Sequence, residues 1–298
     1  MTLSGFLVVN KCAGMTSHSV VNRVRRLIGQ KKAGHTGTLD PFATGVLPVA
    51  LGDATKTIQF LDESRKEYRA VMRLGLSTDT QDCEGRILQQ REWQHLAHDQ
   101  IFRVAEQFTG ELQQIPPMYS AIKQNGVPLY QIARKGEEVT RAVRIIFIAS
   151  LVIEKIELPQ VTFCVNCSKG TYVRTLANDI GEILGCGAHL VSLARTASGP
   201  FTLDSGVNLE QLEEIVRTDT LDEYIVSARE LLAHIDTIEL DDAAARRIAH
   251  GVAPGPGNVL FGKWPERGAR VLLERDGSLL AVAEGNSLES VRLLRVFV

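Results

Sequence analysis

The chain has 298 residues, 44% of them apolar and 23% charged, and a net charge of −2 at pH 7. That composition belongs to a globular protein able to bury one large or two smaller cores, and it excludes disordered and fibrous architectures. The apolar run at residues 6–9 falls far short of the about 20 residues that span a bilayer, so the expected compartment is the cytosol.

Charge is unevenly placed. Residues 1–60 carry seven Lys or Arg against two acids, and residues 118–145 carry five against two, while the rest of the chain is net acidic. One face could therefore meet a polyanion, although ordinary solvated faces give the same counts. The five cysteines show no disulfide framework and are expected to be reduced and mostly buried. Cys164 and Cys167 form a CxxC inside an alternating run, where positions i and i+3 face opposite ways, so neither a zinc knuckle nor a redox pair is expected.

In chain order, the strand LVVN precedes TSHSVVNRVRRLIG. There Thr16 or Ser17 can cap a helix, Val20, Val21, Val24, Leu27 and Ile28 share a face, and Gly29 stands at the C-terminal cap. The helix arginines are expected on the other faces, open to solvent or phosphate. GHTGTLDPFATGVL, residues 34–47, fits neither helix nor strand. KEYRAVMRLGLSTDTQDCEGRIL reads as two strands joined by an acidic connection, and DQIFRVAEQFTGEL as a helix capped by Asp99 that buries Ile101, Phe102, Ala105 and Phe108. IPPMYSAIKQNGVPLYQIARKGEEVTRAVR combines a diproline, a QNG turn and basic residues around Tyr119 and Tyr130, as a loop-rich arm would.

Next come a strand with Val161, Phe163 and Val165 inward, and a helix capped by Thr171 with Val173, Leu176, Ala177, Ile180, Ile183 and Leu184 on its apolar face. A helix LEQLEEIVR follows. A less periodic stretch near residues 218–229 marks a boundary, giving units 1–229 and 230–298. The second unit reads as one helix, a Pro/Gly loop and short strands with a hairpin signal at RDGS.

No phosphate loop, dinucleotide turn, HExxH or GxSxG is present, so the motifs indicate neither nucleotide cofactor nor metal. Asp40, just before Pro41, is on local grounds a good cap or turn residue. Yet Gly34, Gly37 and Gly45 leave room for a large planar ligand beside its carboxylate.

GHTGTLDPFATGVLPVALGDATK resembles the catalytic motif of the bacterial tRNA pseudouridine-55 synthases, the TruB family. KEYRAVMRLGLSTDTQD, FTGELQQIPPMYSAIK and CSKGTYVRTLANDIGEILGCGAHLVSLART extend the resemblance, in family order, over residues 5–200. It implies an α/β (α+β) fold: a catalytic domain, residues 1–229, with a central mixed, largely antiparallel sheet flanked by helices and loops. It also implies an RNA-binding thumb at residues 116–145 and a small β-rich PUA-like domain at residues 230–298.

The implied activity is isomerisation of the T-loop uridine at tRNA position 55 by base flipping, with neither cofactor nor metal. Carried over position by position, Asp40 matches the catalytic acid and Arg174 the arginine that pairs with it. Tyr68 matches the tyrosine that packs on the flipped uracil, Tyr172 and Leu193 the residues lining the base pocket, and His35 the histidine filling space around the flipped nucleotides. Lys11 matches a supporting lysine, but NKCAGMTS has Asn10 and Cys12 where the family usually has Asp and Pro. Lys31, Lys32, Lys123, Arg134, Lys135 and Arg141 are expected to meet the RNA backbone. The expected partner is the T arm of tRNA, bound by a monomer without a membrane. Rival readings are a tRNA-folding chaperone without catalysis, and an RNA N-glycosylase that releases uracil.

Overall fold

Alternating apolar runs become the strands of one large sheet, and amphipathic runs cover it. The computed structural model describes residues 3–62 and 64–297. In chain order it begins with β1 (Gly5–Lys11), α1 (Ser17–Ile28), β2 (Ala33–His35), β3 (Thr44–Leu51) and β4 (Arg65–Leu74). A small hairpin, β5 (Leu76–Thr78) and β6 (Ile87–Gln90), leads to α2 (His98–Glu106) and β7 (Gly110–Gln114). The arm folds as β8 (Lys123–Gln124), β9 (Val127–Pro128) and α3 (Leu129–Ala133). Then come β10 (Arg144–Glu157), β11 (Gln160–Ser168), α4 (Val173–Ile183), β12 (Ala188–Ser198), β13 (Phe201–Thr202), α5 (Leu209–Arg217), β14 (Ile225–Val226) and α6 (Ala228–Leu231).

The sheet runs β14-β1-β3-β12-β4-β11-β10-β7, with β2 and β13 paired off this path. Its ladders are antiparallel except where β12 meets β3 in parallel, Ala194 opposite Thr44 and Arg195 opposite Gly45. A second sheet, β16-β15-β17-β18-β19, comprises β15 (Thr237–Leu240), β16 (Val259–Phe261), β17 (Arg270–Arg275), β18 (Ser278–Ser287) and β19 (Ser290–Val296), with α7 (Asp242–Ala249) after β15. The fold is thus mixed α/β with a C-terminal β-sheet domain.

Strand alternation divides the interior. On β1 and β3, Leu7, Val9, Leu47, Val49 and Leu51 join the main core under α1, α4 and α5, while Phe6, Val8, Val46 and Ala50 join a second cluster with Leu232, Ile235, Leu272 and Val282. Helix α1 is capped by Thr16 and closed by Gly29 in the left-handed conformation, and it buries Val20, Val21 and Val24. Each such valine contributes about 1.5–3 kcal/mol of burial. The RDGS hairpin forms between β17 and β18, with Asp276 and Gly277 both at positive φ.

Several local expectations are corrected. Phe102 and Ile183 are exposed, because α2 rests on Ile101, Val104 and Ala105 and α4 turns Ile183 past the edge of its contact face. The caps of α2 and α4 are Ala97 and Tyr172, two residues from Asp99 and one from Thr171 respectively. Cys12 and Cys83 are exposed and only Cys167 and Cys186 fully buried, so the cysteines are not mostly buried. The arginines of α1 are not simply free: Arg23 pairs with Glu213, and Arg25 donates to the Ala33 carbonyl.

Candidate active site

The loop between β2 and β3 makes few regular hydrogen bonds of its own, and three side chains from elsewhere hold it. Ser17, at the start of α1, both donates to the Leu39 carbonyl (3.0 Å) and accepts from the Leu39 amide (2.8 Å). Lys11, buried at the end of β1, donates its Nζ to the carbonyls of Cys12 (2.9 Å), Pro41 (3.0 Å) and Ala43 (2.6 Å). Burial pushes its pKa below the ordinary lysine value, opposed by the charges of Cys12 and Asp40. Arg195 of β12, the largest fully buried side chain, donates to Val46 O (2.7 Å), Gly37 O (3.0 Å) and Thr38 O (3.4 Å).

Gly45 sits where the loop re-enters the sheet. Its φ is +101°, and a Cβ there would lie 2.2 Å from the Arg195 carbonyl, so β3 and β12 can pair only with glycine at this position.

Between Leu39 and Pro41 the loop presents Asp40 to an open cleft of about 800 Å³. Arg174, in the first turn of α4 and 3% exposed, holds the carboxylate with two nitrogens, Nε to Oδ2 at 2.8 Å and Nη2 to Oδ1 at 3.2 Å. The same guanidinium donates to Thr80 O (2.7 Å) and Tyr119 O (2.9 Å), and Asp82 Oδ2 lies 3.4 Å away. Asp82 is itself fixed by Thr80 Oγ1 (2.5 Å) and the Glu84 amide (3.1 Å). Asp40 is enclosed by protein on most sides yet still meets solvent through the cleft. Burial raises its pKa above the ordinary aspartate value; Arg174 opposes that rise and Asp82 adds to it.

Tyr68, on β4 directly opposite Arg195, lines the cleft, as do Leu193, Tyr172 and His35. Burial raises the pKa of both tyrosines, with Arg195 opposing the shift at Tyr68 and Ser120 opposing it at Tyr172. The Gln114 amide grips the Tyr172 backbone, accepting from its N–H at 2.8 Å and donating to its carbonyl at 3.1 Å. Asp40, Arg174, Tyr68, Tyr172, Leu193 and His35 therefore meet in one cleft, and Lys11 lies beneath its loop.

The basic residues divide. Arg134 lines the cleft, its guanidinium 5.4 Å from the Tyr130 ring centroid. Lys123 and Lys135 are exposed on the same arm, and Arg141 is turned to Pro116 O and Glu138. Lys31 and Lys32 stand outside the cleft lining, and Lys32 is paired with Asp53. Asp82, Arg195 and Lys66 also line the cleft, and sequence reasoning passed over all three. For Arg195 and Lys66 the hint lay in charged residues at inward positions of LVSLART and KEYRA, where an alternating strand otherwise buries apolar groups. Among the described residues no group of three or more His, Cys, Asp or Glu is placed to hold a metal ion.

The family described as TruB family pseudouridylate synthase (N terminal domain) matches residues 25–173, and the tRNA pseudouridylate synthase B C-terminal domain matches residues 174–238. The chain belongs to the TruB family. A tRNA pseudouridine synthase B of Geotalea uraniireducens (strain Rf4) is 52% identical over 99% of this chain and 98% of its own length. That of Geobacter sulfurreducens is 50% identical over 99% of this chain and its own full length. Among solved structures, a Cbf5-Nop10-Gar1 complex contains a chain with 30% identity and a TM-score of 0.74, covering 99% of this chain and 85% of that one. An H/ACA RNP bound to a substrate RNA containing 2′-deoxyuridine gives 27% identity and a TM-score of 0.73. The boundary between the two family matches falls between Val173 and Arg174, so the Asp40–Arg174 pair joins the two regions.

Proposed function

We propose that this protein isomerises the T-loop uridine at tRNA position 55 to pseudouridine, with Asp40 as the acting carboxylate. The observation that carries this reading is the Asp40–Arg174 pair, a carboxylate oriented by two nitrogens at the floor of a cleft walled by Tyr68 and Leu193. The names of the close relatives and the RNA-bound structural neighbour point the same way.

The reaction breaks the N1–C1′ bond and forms C5–C1′. C5 gives up a proton and N1 gains one, so no oxidant, reductant or cofactor is required. Asp40 acts in its ionised form, either on C1′ or on a proton of the sugar. Burial works against ionisation and the Arg174 guanidinium favours it, so the pair keeps a usable base in a poorly solvated place. The uridine must leave its stack, at a cost of a few kcal/mol. Stacking on Tyr68 offsets that by about 1–3 kcal/mol. Tyr172, Leu193 and His35 shape the base pocket, and Lys11 supports the loop.

Arg134, Lys123, Lys135 and Arg141 on the arm at residues 116–145, with Lys31 and Lys32, draw in the phosphate backbone. Residues 1–229 form the catalytic unit and 230–298 a PUA-like unit, acting as a monomer in the cytosol.

The test incubates a T-arm stem-loop transcript with the wild type and with Asp40→Asn, then maps carbodiimide adducts by primer extension. A single stop at the T-loop uridine, present with the wild type and absent with the variant, is the expected result. Tight binding without a stop from either protein would favour the chaperone, and free uracil the glycosylase.

A further inference from the structure

Away from the Asp40–Arg174 pair, the cleft changes character at Gly37. A glycine is required where φ is positive or where a Cβ would strike backbone, and neither condition holds here. Gly37 is not among the positive-φ glycines, and among the described residues a Cβ built on it would meet two side-chain tips, Arg195 Nη1 at 3.6 Å and Lys66 Nζ at 3.7 Å. Both are ordinary contact distances, so alanine would fit. What the missing side chain leaves is a space on the cleft wall at which an ammonium and a guanidinium converge.

Both cations are built in. Lys66 and Arg195 are 6% and 1% exposed and both line the cleft. Ser198 accepts from Lys66 Nζ at 2.7 Å, and the guanidinium of Arg195 is fixed by the neutral carbonyls of Val46, Gly37 and Thr38. Lys66 also lies two residues before Tyr68 on β4, and therefore on the same face of the strand. A base lying against Tyr68 would carry its own backbone past this space.

We propose that Gly37, Lys66 and Arg195 form an oxyanion subsite for a phosphodiester flanking the nucleotide that enters the cleft. The subsite rests on the reading that a uridine binds here, and it adds the contact that fixes the backbone of that nucleotide relative to Asp40. The space left by Gly37 admits a non-bridging oxygen within reach of both cations, and the planar guanidinium and the compact ammonium suit one tetrahedral group between them.

The experiment is a coupling cycle between protein and RNA. T-arm stem-loops carry a single neutral methylphosphonate 5′ or 3′ of the target uridine, and the parent RNA shares the same 2′-deoxy sugars beside it. Dissociation constants are measured for wild type, Lys66→Gln and Gly37→Ala, with thermal melts to show that each is folded. The wild type should lose about tenfold in affinity for one of the two neutralised RNAs, the scale of one charge-assisted hydrogen bond. Lys66→Gln should bind the parent RNA more weakly by a similar factor, lose less than the wild type on neutralisation because Arg195 alone remains, and show a salt slope smaller by about 0.7–0.9. Gly37→Ala should repeat the loss of coupling with a wild-type melt, which separates a blocked space from a damaged fold.

Equal losses on neutralisation in wild type and in both variants would overturn the subsite, as would no loss at either position. Pseudouridine formation on an all-ribose RNA is followed separately. Coupling without product would retain the subsite and reject the proposed activity, whereas product without coupling would do the reverse.

Discussion

Replacing Arg174 by Met removes the charge while keeping much of the side chain's length, and the structure sets the size of the effect. Arg174 is 3% exposed, and its guanidinium holds Asp40 at 2.8 and 3.2 Å, stands 3.4 Å from Asp82 and donates to the carbonyls of Thr80 and Tyr119. Removing one member of a buried ion pair costs about 3–5 kcal/mol, chiefly because the remaining charge loses its compensation. For a chain of this size that corresponds to a fall in Tm of about 5–8 °C at neutral pH.

The pH dependence follows from Asp40. Its folded pKa already lies above the ordinary value through burial, with Arg174 opposing the rise, so Arg174→Met raises it further. A folded-state carboxyl pKa above the unfolded one means that the folded state binds more protons in that window, so stability falls as pH rises through it. The variant's deficit should therefore be largest at neutral pH and shrink as pH falls toward the carboxylate range. Adding Asp40→Asn to Arg174→Met should recover part of the lost stability, although Asp40→Asn alone offers no such gain. Differential scanning fluorimetry of the four proteins from pH 5 to 8 reads this cycle. A wild-type Tm for Arg174→Met, or a deficit independent of both pH and the residue at position 40, would refute the reasoning.

Lys11→Met strands three carbonyls of the loop and its approach, and should cost about 2–4 kcal/mol in urea unfolding while lowering single-turnover rate more than RNA affinity. Gly45→Ala places a Cβ 2.2 Å from the Arg195 carbonyl at a φ of +101°, so a loss of about 3 kcal/mol or more is expected in the same assay. The double change Arg134→Ala and Lys135→Ala should reduce the slope of log K against log salt by about 0.7–0.9 for each phosphate that is no longer neutralised, in filter-binding titrations with T-arm RNA. The rate of the single-turnover reaction should fall with decreasing pH along a limb placed above the ordinary aspartate pKa, because burial raises that of Asp40.

Much of this architecture was legible in the sequence because local patterns determine it. The Thr16 and Gly29 ends of α1, the alternation of β11 and the Asp276–Gly277 turn follow from capping, period and φ preference, and the structure shows each of them. The stripes of α2 and α4 are narrower than their periodicity suggests, since periodicity gives a face but not how far the neighbouring element extends across it. The site divides in the same way. The loop of Asp40 announces itself by three glycines and an Asp-Pro step, whereas the burial of Arg174 and Arg195 depends on carbonyls and carboxylates 55 to 158 residues away in sequence. No local window contains those partners, so by pattern alone Arg174 looks like a surface residue, and nothing near Arg195 says what would satisfy its charge. Resemblance singles out Arg174, while Arg195 and Lys66 leave in the sequence only the hint of a charge at an inward strand position, and the folded chain places them.

The two-sided character of β1 and β3 bears on how the molecule comes apart. Leu7, Val9 and Leu47 face one interior and Phe6, Val8 and Val46 the other, so two neighbouring strands serve as a party wall between the sheets. Stripping away residues 230–298 would bare an apolar wall on strands whose ends carry Lys11 and Gly45, the anchors of the Asp40 loop. Heat should consequently melt the chain in a single calorimetric transition, and a truncated form should lose the shape of its cleft along with its solubility.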